Sequence, residues 1–452
     1  MPFEDLRQFI NHLGEHGKLA RVTREVDPRY EIAAYLRKAV DTQGPALWFE
    51  NVKGHTMPVV GGLFTTRELA LTSLGFTPGE AIESYLAALE HLVPPKLVSS
   101  GPCQEVTFTG EQVDLSCLPI PTYSAGDAGP YITAGVVVSR DPVDGSKNAS
   151  IYRIQLKGKN RLGILSTSQH HLGIQYQKAE AQGRPLEVAI ALGCSPAILQ
   201  ATQWEAPLGV DELGLAGALL GHPLEVVKGI TVDLEVPASA EIIIEGRVLP
   251  GVREEEGPFG EYTGYYTGSS PKPVIEVSAI THRKEPLFHA FLCGTPPTEN
   301  HVIKLVPLEA SYYAMLKGKF PGVRAVRFPE AGGVGLMIVV AMEQRAPYEA
   351  RSVIMSIFGS QRNKVVIVVD DDIDIFNMDQ VMWAVATRSQ ADHDLIVVPR
   401  LAGGQLDPSA PDLDGTCGMG IDATRPFGVP FPEVVTVPGV DRVPDLRALG
   451  GT

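Results

Sequence analysis

Two glutamates bracket a short turn in the segment Glu256-Gly-Pro-Phe-Gly-Glu261. They stand five positions apart, a spacing that does not put them on one helix face. A Gly-Pro-Phe-Gly turn would instead fold both carboxylates toward one cavity, where their repulsion favours protonation of one of them. The segment would then hold a proton donor beside a base. A solvated acidic hairpin loop is the alternative, because Glu254 and Glu255 precede the turn and charge runs usually face water.

An arginine within a β-branched and aromatic run is the second candidate. In Asn148-Ala-Ser-Ile-Tyr-Arg153, Asn148 stands at the start of a predicted strand and Arg153 follows five positions later. The planar fork of Arg153 suits a substrate carboxylate or a neighbouring glutamate. An ordinary strand arginine facing water is the other interpretation, since exposed arginine is the common case.

A third group of side chains would suit a metal ion. Gln169-His170-His171 and Asp211-Glu212 supply imidazole and carboxylate, and Asn148 adds an amide oxygen. Oxygen-rich sets of this kind suit Mg²⁺ or Mn²⁺ better than Zn²⁺. Against a metal site, the chain has no His-Glu-x-x-His motif and no Cys/His zinc spacing, and paired histidines also occur on surfaces at helix starts.

An acidic run, Asp370-Asp-Asp-Ile-Asp374, follows a strongly apolar segment. The ends of parallel strands often meet ligands, so the run is a candidate cation site. Asp is also a preferred N-cap residue, and residues 379–386 have a helical pattern. We favour the capping role.

The elements that must position these groups follow from hydrophobic periodicity. Helical spacing predicts helices at 3–13, 79–92 and 213–220, and short β-branched runs from residue 131 onward predict a sheet-rich middle. Residues 364–370 are apolar on both faces, as in a buried parallel strand. We predict a mixed α/β (α+β) fold with an N-terminal α/β domain (1–118), a central β-rich, split-barrel-like domain (119–305) and a C-terminal α/β domain (306–452).

Composition narrows the classes of partner. The chain has 452 residues, with 53 acidic against 38 basic side chains and a net charge of −15, so a nucleic-acid partner is not expected. Its five cysteines are scattered without a Cys-x-x-Cys pair, which indicates reduced thiols. The N-terminal residues lack a secretory pattern, and no apolar stretch is long enough for a membrane helix. We expect a soluble, cytoplasmic protein.

In this order along the chain, the candidate groups resemble the UbiD family of prenylated-flavin-dependent decarboxylases. The resemblance covers essentially the whole chain. The segments that carry it are Pro130-Tyr-Ile-Thr133, Asn148-x-x-Ile-Tyr-Arg153, Gln169-His170, Glu212, Glu256-Gly-Pro-Phe-Gly-Glu261, Val369-Asp-Asp-Asp-Ile-Asp374, Met382-Trp-Ala-Val-Ala-Thr-Arg388 and Gly420-Ile-Asp-Ala-Thr-Arg-Pro426.

The resemblance implies prenylated FMN as cofactor, a divalent Mn²⁺ or Mg²⁺ that grips its phosphate, and K⁺ nearby. The implied metal ligands are Asn148, His170 and Glu212, with His171 as an alternative to His170. The implied cofactor-binding residues are Thr133, Asn148, Ser150, Ile151, Tyr152, Arg153, Gln169, His170 and Glu212.

The resemblance also implies the chemistry: reversible decarboxylation of an aromatic, heteroaromatic or α,β-unsaturated acid. The flavin would bond to the substrate and accept the electrons that no side chain can hold. Arg153 would orient the carboxylate, Glu261 would protonate carbon after CO₂ leaves, and Glu256 would hold Arg153. Gln169 and Tyr262 would flank the substrate. His301, near the predicted junction of two domains, is a further substrate candidate.

The resemblance further implies a homo-oligomer, either a dimer formed through the C-terminal domain or a larger assembly. It also implies a flavin prenyltransferase that supplies the cofactor. Two other classes of function remain open. A flavin-dependent oxidoreductase would need a hydride-donor site, and the chain has no dinucleotide fingerprint. A non-catalytic assembly protein would bind no flavin.

Overall fold

The N-terminal region is a helix-flanked sheet. The computed structural model describes residues 2–167, 170–359, 363–403, 406–410 and 415–443. The first helix forms where the apolar spacing predicts it, and the Asp5 carboxylate caps it by accepting the N–H of Gln8 at 2.9 Å. The elements of this region are α1 (Leu6–Glu15), β1 (Leu19–Val26), α2 (Glu31–Asp41), β2 (Ala46–Val52), β3 (Val59–Gly61), α3 (Arg67–Leu74) and α4 (Ala81–Glu90).

The central region is sheet-dominated, as the β-branched runs predict. Its elements are β4 (Lys96–Leu97), β5 (Val106–Thr109), β6 (Tyr131–Ile132), β7 (Val136–Arg140), β8 (Lys147–Ile151), β9 (Ile154–Gly158), β10 (Arg161–Ile164), α5 (His171–Ala181), β11 (Leu186–Leu192), α6 (Pro196–Ala201), α7 (Glu212–Leu220), β12 (Glu225–Lys228), β13 (Glu235–Pro237), β14 (Ile242–Glu256), β15 (Phe259–Gly260), β16 (Tyr266–Thr267), β17 (Ser270–His282) and β18 (Phe288–His289).

A nine-stranded sheet organises this region. Its strand order is β6-β9-β10-β17-β14-β11-β7-β8, with β5 added to β17, and the described strands form an open path rather than a closed barrel. The short hairpin β15–β16 forms a separate two-stranded sheet. Strand β18 pairs with β3 in parallel and so joins the N-terminal sheet, in the order β1-β2-β3-β18.

The C-terminal region is a second α/β unit. Its elements are α8 (Glu299–Val302), α9 (Leu305–Lys317), β19 (Val323–Arg327), β20 (Met337–Met342), α10 (Glu349–Phe358), β21 (Val365–Asp370), α11 (Met378–Arg388), β22 (Leu395–Leu401) and β23 (Thr416–Ala423). Strand β21 lies between two parallel neighbours, β20 and β23, which explains why its sequence is apolar on both faces. The mixed α/β fold predicted from the sequence is confirmed; its division at residues 118 and 305 stays a prediction.

The capping role predicted for the Asp370–Asp374 run is wrong. Helix α11 is capped by Asn377, whose side-chain oxygen accepts the N–H groups of Asp379 at 3.0 Å and Gln380 at 3.4 Å. Asp370 and Asp372 instead pair with the buried guanidinium of Arg388, at 2.6 and 2.8 Å. The acidic run therefore neutralises the buried charge of Arg388. Because Arg388 lies outside the run, the sequence of the run gives no sign of this pairing.

No helix in the described ranges combines the length and apolar character that crossing a bilayer requires.

Candidate active site

Arg153 lies in the two-residue break between β8 and β9, where it is free of the strand ladder. Its Nε and Nη2 atoms donate to the two oxygens of Glu256, at 3.1 and 2.6 Å. Its Nη1 donates to Glu261 Oε1. The Arg153 guanidinium thus joins the last residue of β14 to the residue that follows β15, and both carboxylates contact the same cation.

The network is buried. Glu256 is 0% exposed and Glu261 is 8% exposed. Desolvation alone would lower the pKa of the Arg153 guanidinium, but the carboxylates of Glu261 and Glu256 more than offset that effect and raise it. Arg153 is therefore a fixed cation, and the acidic loop interpretation does not describe Glu256 and Glu261.

Residues outside the motifs complete the surroundings of Arg153. Its Nη1 also donates to Thr267 Oγ1 at 2.7 Å, and its guanidinium lies 5.3 Å from the centre of the Phe259 ring. The Thr267 hydroxyl donates in turn to the carbonyl oxygen of Phe259 at 3.3 Å. Sequence reasoning missed Thr267, because a lone threonine in a hairpin carries no spacing signal.

The metal candidates converge on the start of α7. Glu212, the first residue of that helix, is 3% exposed and accepts the N–H of Ala149 at 2.8 Å, which places it beside Asn148 on β8. His171 Nδ1 lies 3.8 Å from Glu212 Oε1. His170 caps α5 by position, and its ring lies 6.1 Å from that of Tyr152. The structure thus brings both histidines to this region.

The side chains present fit a divalent cation. The Nδ2 atom of Asn148, a residue only 2% exposed, has no hydrogen-bond partner among the described residues. The two ends of an amide side chain have nearly the same shape, so rotation by half a turn would place the Asn148 oxygen there instead. Burial raises the pKa of Glu212 to about 7 without a cation, and a bound cation would favour the ionised carboxylate. Among described residues, no three His, Cys, Asp or Glu side chains group to hold a metal, so a cation here depends on Asn148.

The other predicted cofactor residues are divided between the end of β8 and the segment after β6. Ser150 and Ile151 end β8 and are half-buried, and Tyr152 is buried in the break next to Arg153. Thr133 is buried after β6, where its hydroxyl is 2.7 Å from that of Tyr123 and 2.8 Å from the carbonyl oxygen of Phe291. Gln169 lies outside the described residues.

A hydrogen bond joins His301 to the backbone of Tyr262, the residue that follows Glu261. His301 Nε2 donates to the carbonyl oxygen of Tyr262 at 2.6 Å, while its Nδ1 accepts the N–H of Thr298 at 3.0 Å. Burial lowers the pKa of His301 to about 3, in keeping with a neutral ring. Both ring nitrogens are used within the protein, so His301 supports the backbone next to Glu261. Its role toward substrate stays a prediction.

Three family models match the chain in succession. The 3-octaprenyl-4-hydroxybenzoate carboxy-lyase N-terminal domain matches residues 10–89, the Rift-related domain of the same enzyme matches 96–296, and its C-terminal domain matches 301–423. An uncharacterized protein in the cooM 5′ region of Rhodospirillum rubrum is 39% identical over 435 residues, covering 94% of this chain and 92% of that protein.

Solved structures agree with the family models. The UbiD-class enzyme HmfF from Pelotomaculum thermopropionicum, in complex with FMN, is 44% identical, with 97% of this chain and 99% of HmfF covered and a TM-score of 0.92. An evolved dimeric form of HmfF has been solved with prFMN. Vanillic acid decarboxylase from Sedimentibacter hydroxybenzoicus, in closed form, is 32% identical, with 98% of each chain covered and a TM-score of 0.88. The chain belongs to the UbiD family of carboxy-lyases, which confirms the resemblance drawn from its motifs.

Proposed function

We propose that this protein catalyses the reversible, non-oxidative decarboxylation of an aromatic, heteroaromatic or α,β-unsaturated carboxylic acid with prenylated FMN. The observation that carries the proposal is the buried Glu256–Arg153–Glu261 network. Arg153 comes from one segment and the two glutamates from another, 103 positions further along the chain at Glu256, and the three side chains meet in one site. The similarity to HmfF, solved with FMN and in an evolved form with prFMN, supports the choice of cofactor.

Arg153 orients the substrate carboxylate. Its guanidinium stays charged at any working pH, so it binds anions but supplies no proton. One guanidinium between two ionised carboxylates has a net charge of −1 and would repel an anionic acid. Protonation of one glutamate removes that repulsion and readies the site for substrate.

The two glutamates have different roles because Arg153 holds them differently. Glu256 receives two hydrogen bonds, from Nε and Nη2, a bidentate contact that holds it as a carboxylate. Glu261 receives one bond, from an Nη1 atom that it shares with Thr267. Glu261 is therefore the group that carries the proton and delivers it to carbon after CO₂ leaves. When bound, prenylated FMN supplies the electron sink for the charge left on that carbon.

The cofactor phosphate needs a cation, because Glu212 would otherwise repel it. Asn148, Glu212 and one of the two histidines, 170 or 171, would hold Mn²⁺ or Mg²⁺, with K⁺ as a second cation. The residues implied to line the cofactor are Thr133, Ser150, Ile151, Tyr152 and Gln169. A flavin prenyltransferase would supply the prenylated cofactor.

Replacing Glu261 by glutamine tests the assignment. Glu261→Gln keeps the shape and removes the acid, so turnover should fall by about 10² or more while flavin stays bound. The protein is coexpressed with a flavin prenyltransferase and assayed anaerobically, without NAD(P)H, on vanillic, 3,4-dihydroxybenzoic, pyrrole-2-carboxylic and cinnamic acids. Turnover without a hydride donor also separates the proposal from a flavin oxidoreductase.

The matched control is Glu255→Gln, an exposed carboxylate one position before Glu256. It should leave turnover unchanged. Activity of Glu261→Gln within a few-fold of the parent, with flavin bound, would show that the proton comes from another group. A protein that stays colourless after coexpression would point to a non-catalytic role.

A further inference from the structure

The hairpin that carries Glu261 has little support of its own. Strands β15 and β16 make two residue pairs, Phe259 with Thr267 and Gly260 with Tyr266, and in the described residues they join no larger sheet. Isolated two-stranded hairpins are marginally stable in water. Contacts from elsewhere must hold this one in place.

A loop far away in sequence provides such contacts. We name residues 123–128 the clamp loop. Three hydrogen bonds join it to the hairpin: Gly260 N–H to Asp127 Oδ1 (2.9 Å), Ala128 N–H to the carbonyl oxygen of Pro258 (2.9 Å) and Gly126 N–H to the Tyr266 hydroxyl oxygen (3.0 Å). The partners in the first bond are 133 positions apart in the chain.

Asp127 gives the clamp loop its charged contact. One carboxylate oxygen accepts Gly260 N–H, and the other accepts Ser124 N–H at 2.8 Å, so the side chain fixes the loop and the hairpin at once. Hydrogen bonds to an ionised acceptor are stronger than neutral ones. Asp127 therefore ties down the peptide immediately before Glu261.

The backbone of Glu261 is held from the other side as well. Its N–H donates to the carbonyl oxygen of Tyr265 at 3.0 Å, and its own carbonyl accepts the N–H of Gly264 at 2.9 Å. Together with the bond from Gly260 to Asp127, these contacts hold the backbone that carries the Glu261 side chain. Proton transfer to carbon depends steeply on such placement.

We propose that Asp127 is a positioning residue for the proton donor Glu261. Through Gly260 it sets where the Glu261 carboxyl group stands when the C–H bond forms on the substrate and the Glu261 O–H bond breaks. Glu261 is left as a carboxylate and regains its proton from water. This inference rests on the proposed function and adds a residue that the motifs do not include.

Asp127→Ala tests the inference on the flavin-loaded protein. With the panel acid that is turned over fastest, kcat should fall about 10- to 100-fold while KM and flavin occupancy stay unchanged. The solvent deuterium isotope effect on kcat should rise, because proton delivery becomes slower than the other steps. Amide hydrogen exchange, which needs no substrate, should become faster in residues 257–267. Asp127→Asn keeps one acceptor oxygen and should restore kcat to within several-fold of the parent.

Two further variants make the result specific. Asp114 also accepts a backbone N–H, from Ser116 at 2.9 Å, but lies outside the site, so Asp114→Asn should change none of these quantities. Tyr266 is 53% exposed, and Tyr266→Phe should loosen the same hairpin without risk to folding, giving a smaller loss of kcat.

The outcomes separate the two claims. If Glu261→Gln is active, the role given to Glu261 fails, and the inference fails with it. If Glu261→Gln is inactive while Asp127→Ala keeps the parent kcat and isotope effect, the inference alone is overturned. In a third outcome, Asp127→Ala raises KM and lowers both flavin occupancy and kcat, while Tyr266→Phe leaves kcat unchanged. That result would assign Asp127 a general structural role and would also overturn the inference.

Discussion

Arg153 acts through its shape as much as through its charge. Three of its nitrogens contact two glutamates and a threonine, in directions that a planar fork provides and a single ammonium group does not. In this position the guanidinium also lies over the ring of Phe259.

Arg153→Lys should therefore abolish most activity although the charge is kept. We expect a loss of about 10² in kcat/KM, since a lysine holds at most one of the two glutamates in place and leaves the other buried without its partner. Steady-state kinetics with the fastest panel acid measures the effect. Arg140→Lys, which alters a pair with the exposed Asp233, is the matched control and should leave kcat/KM unchanged. Equal losses in both variants would argue against a special role for the fork.

Glu299 is a buried acid outside the Glu256–Arg153–Glu261 network. Its carboxylate accepts the N–H groups of Leu63 at 2.8 Å and Leu292 at 3.2 Å, and so ties α8 to the N-terminal region. Burial raises the pKa of Glu299 from 4.5 to about 7, although these backbone amides act in the opposite direction. The folded state therefore binds this proton more tightly than the unfolded state does.

The shift predicts how stability varies with pH. The contribution of Glu299 is fully present below about pH 4.5 and is lost as pH rises through about 7. The difference is on the order of 3 kcal/mol. Chemical denaturation at about pH 5 and about pH 8 should show the parent losing stability relative to Glu299→Gln as pH rises. A difference between the two proteins that is the same at both pH values would contradict the prediction.

At the residue scale, the sequence identified groups with a motif and missed those without one. The glutamates were candidates because they bracket a turn, and Arg153 because it stands in a β-branched and aromatic run. The resemblance then grouped the three. Asp127 and Thr267 act through one contact each with distant residues, and only the folded chain brings them to the site.

At the scale of elements, the start of α5 places His171 Nδ1 3.8 Å from Glu212 Oε1, with His170 next to it in the chain. Gly173 lies in the first turn of that helix, and a methyl group there would overlap the carbonyl oxygen of Thr167. Glycine allows the chain before the helix to pack directly against its first turn. The position of His170 and His171 depends on this close approach.

Gly173→Ala should displace that turn and weaken the proposed cation site. We expect flavin occupancy after coexpression to fall several-fold, and added Mn²⁺ to restore part of it by mass action. Absorbance spectra of the purified protein give the occupancy. Gly158→Ala, on β9 with open space around its Cβ position, is the control and should keep full occupancy. Full occupancy in Gly173→Ala would exclude this packing as a determinant of cofactor binding.

Periodicity predicted elements with a strong local pattern, and it failed where a distant partner determines the structure. Strand β21 was predicted because burial on both faces leaves a continuous apolar run. The acidic residues after it were assigned to a helix cap because Arg388, their actual partner, stands 18 positions beyond Asp370 and gives no local pattern.

At the scale of the whole molecule, the C-terminal region exposes apolar side chains on several elements. Strand β22 is at the edge of its sheet, and its Val397 is 60% exposed. Met382 and Trp383 on α11 are 52% and 43% exposed. Unpaired edges and exposed apolar groups favour association with another chain.

We therefore predict a homodimer formed through the C-terminal region, the commonest closed assembly. Light scattering at micromolar concentration should return about twice the chain mass, and Val397→Asp should lower it toward one chain. Val143→Asp, at a position that is 65% exposed in the central region, is the control and should leave the mass unchanged. A single-chain mass for the parent protein would contradict the prediction.

Strand β18 links the fold to the order in which the chain is synthesised. The N-terminal sheet gains its fourth strand from residues 288–289, long after its first three. A ribosome must therefore have translated 289 of 452 codons, and with them Glu256 and Glu261, before that sheet can be completed. Until then β3 offers an open edge to the nascent chain, and chaperones that shield such edges would act during this interval.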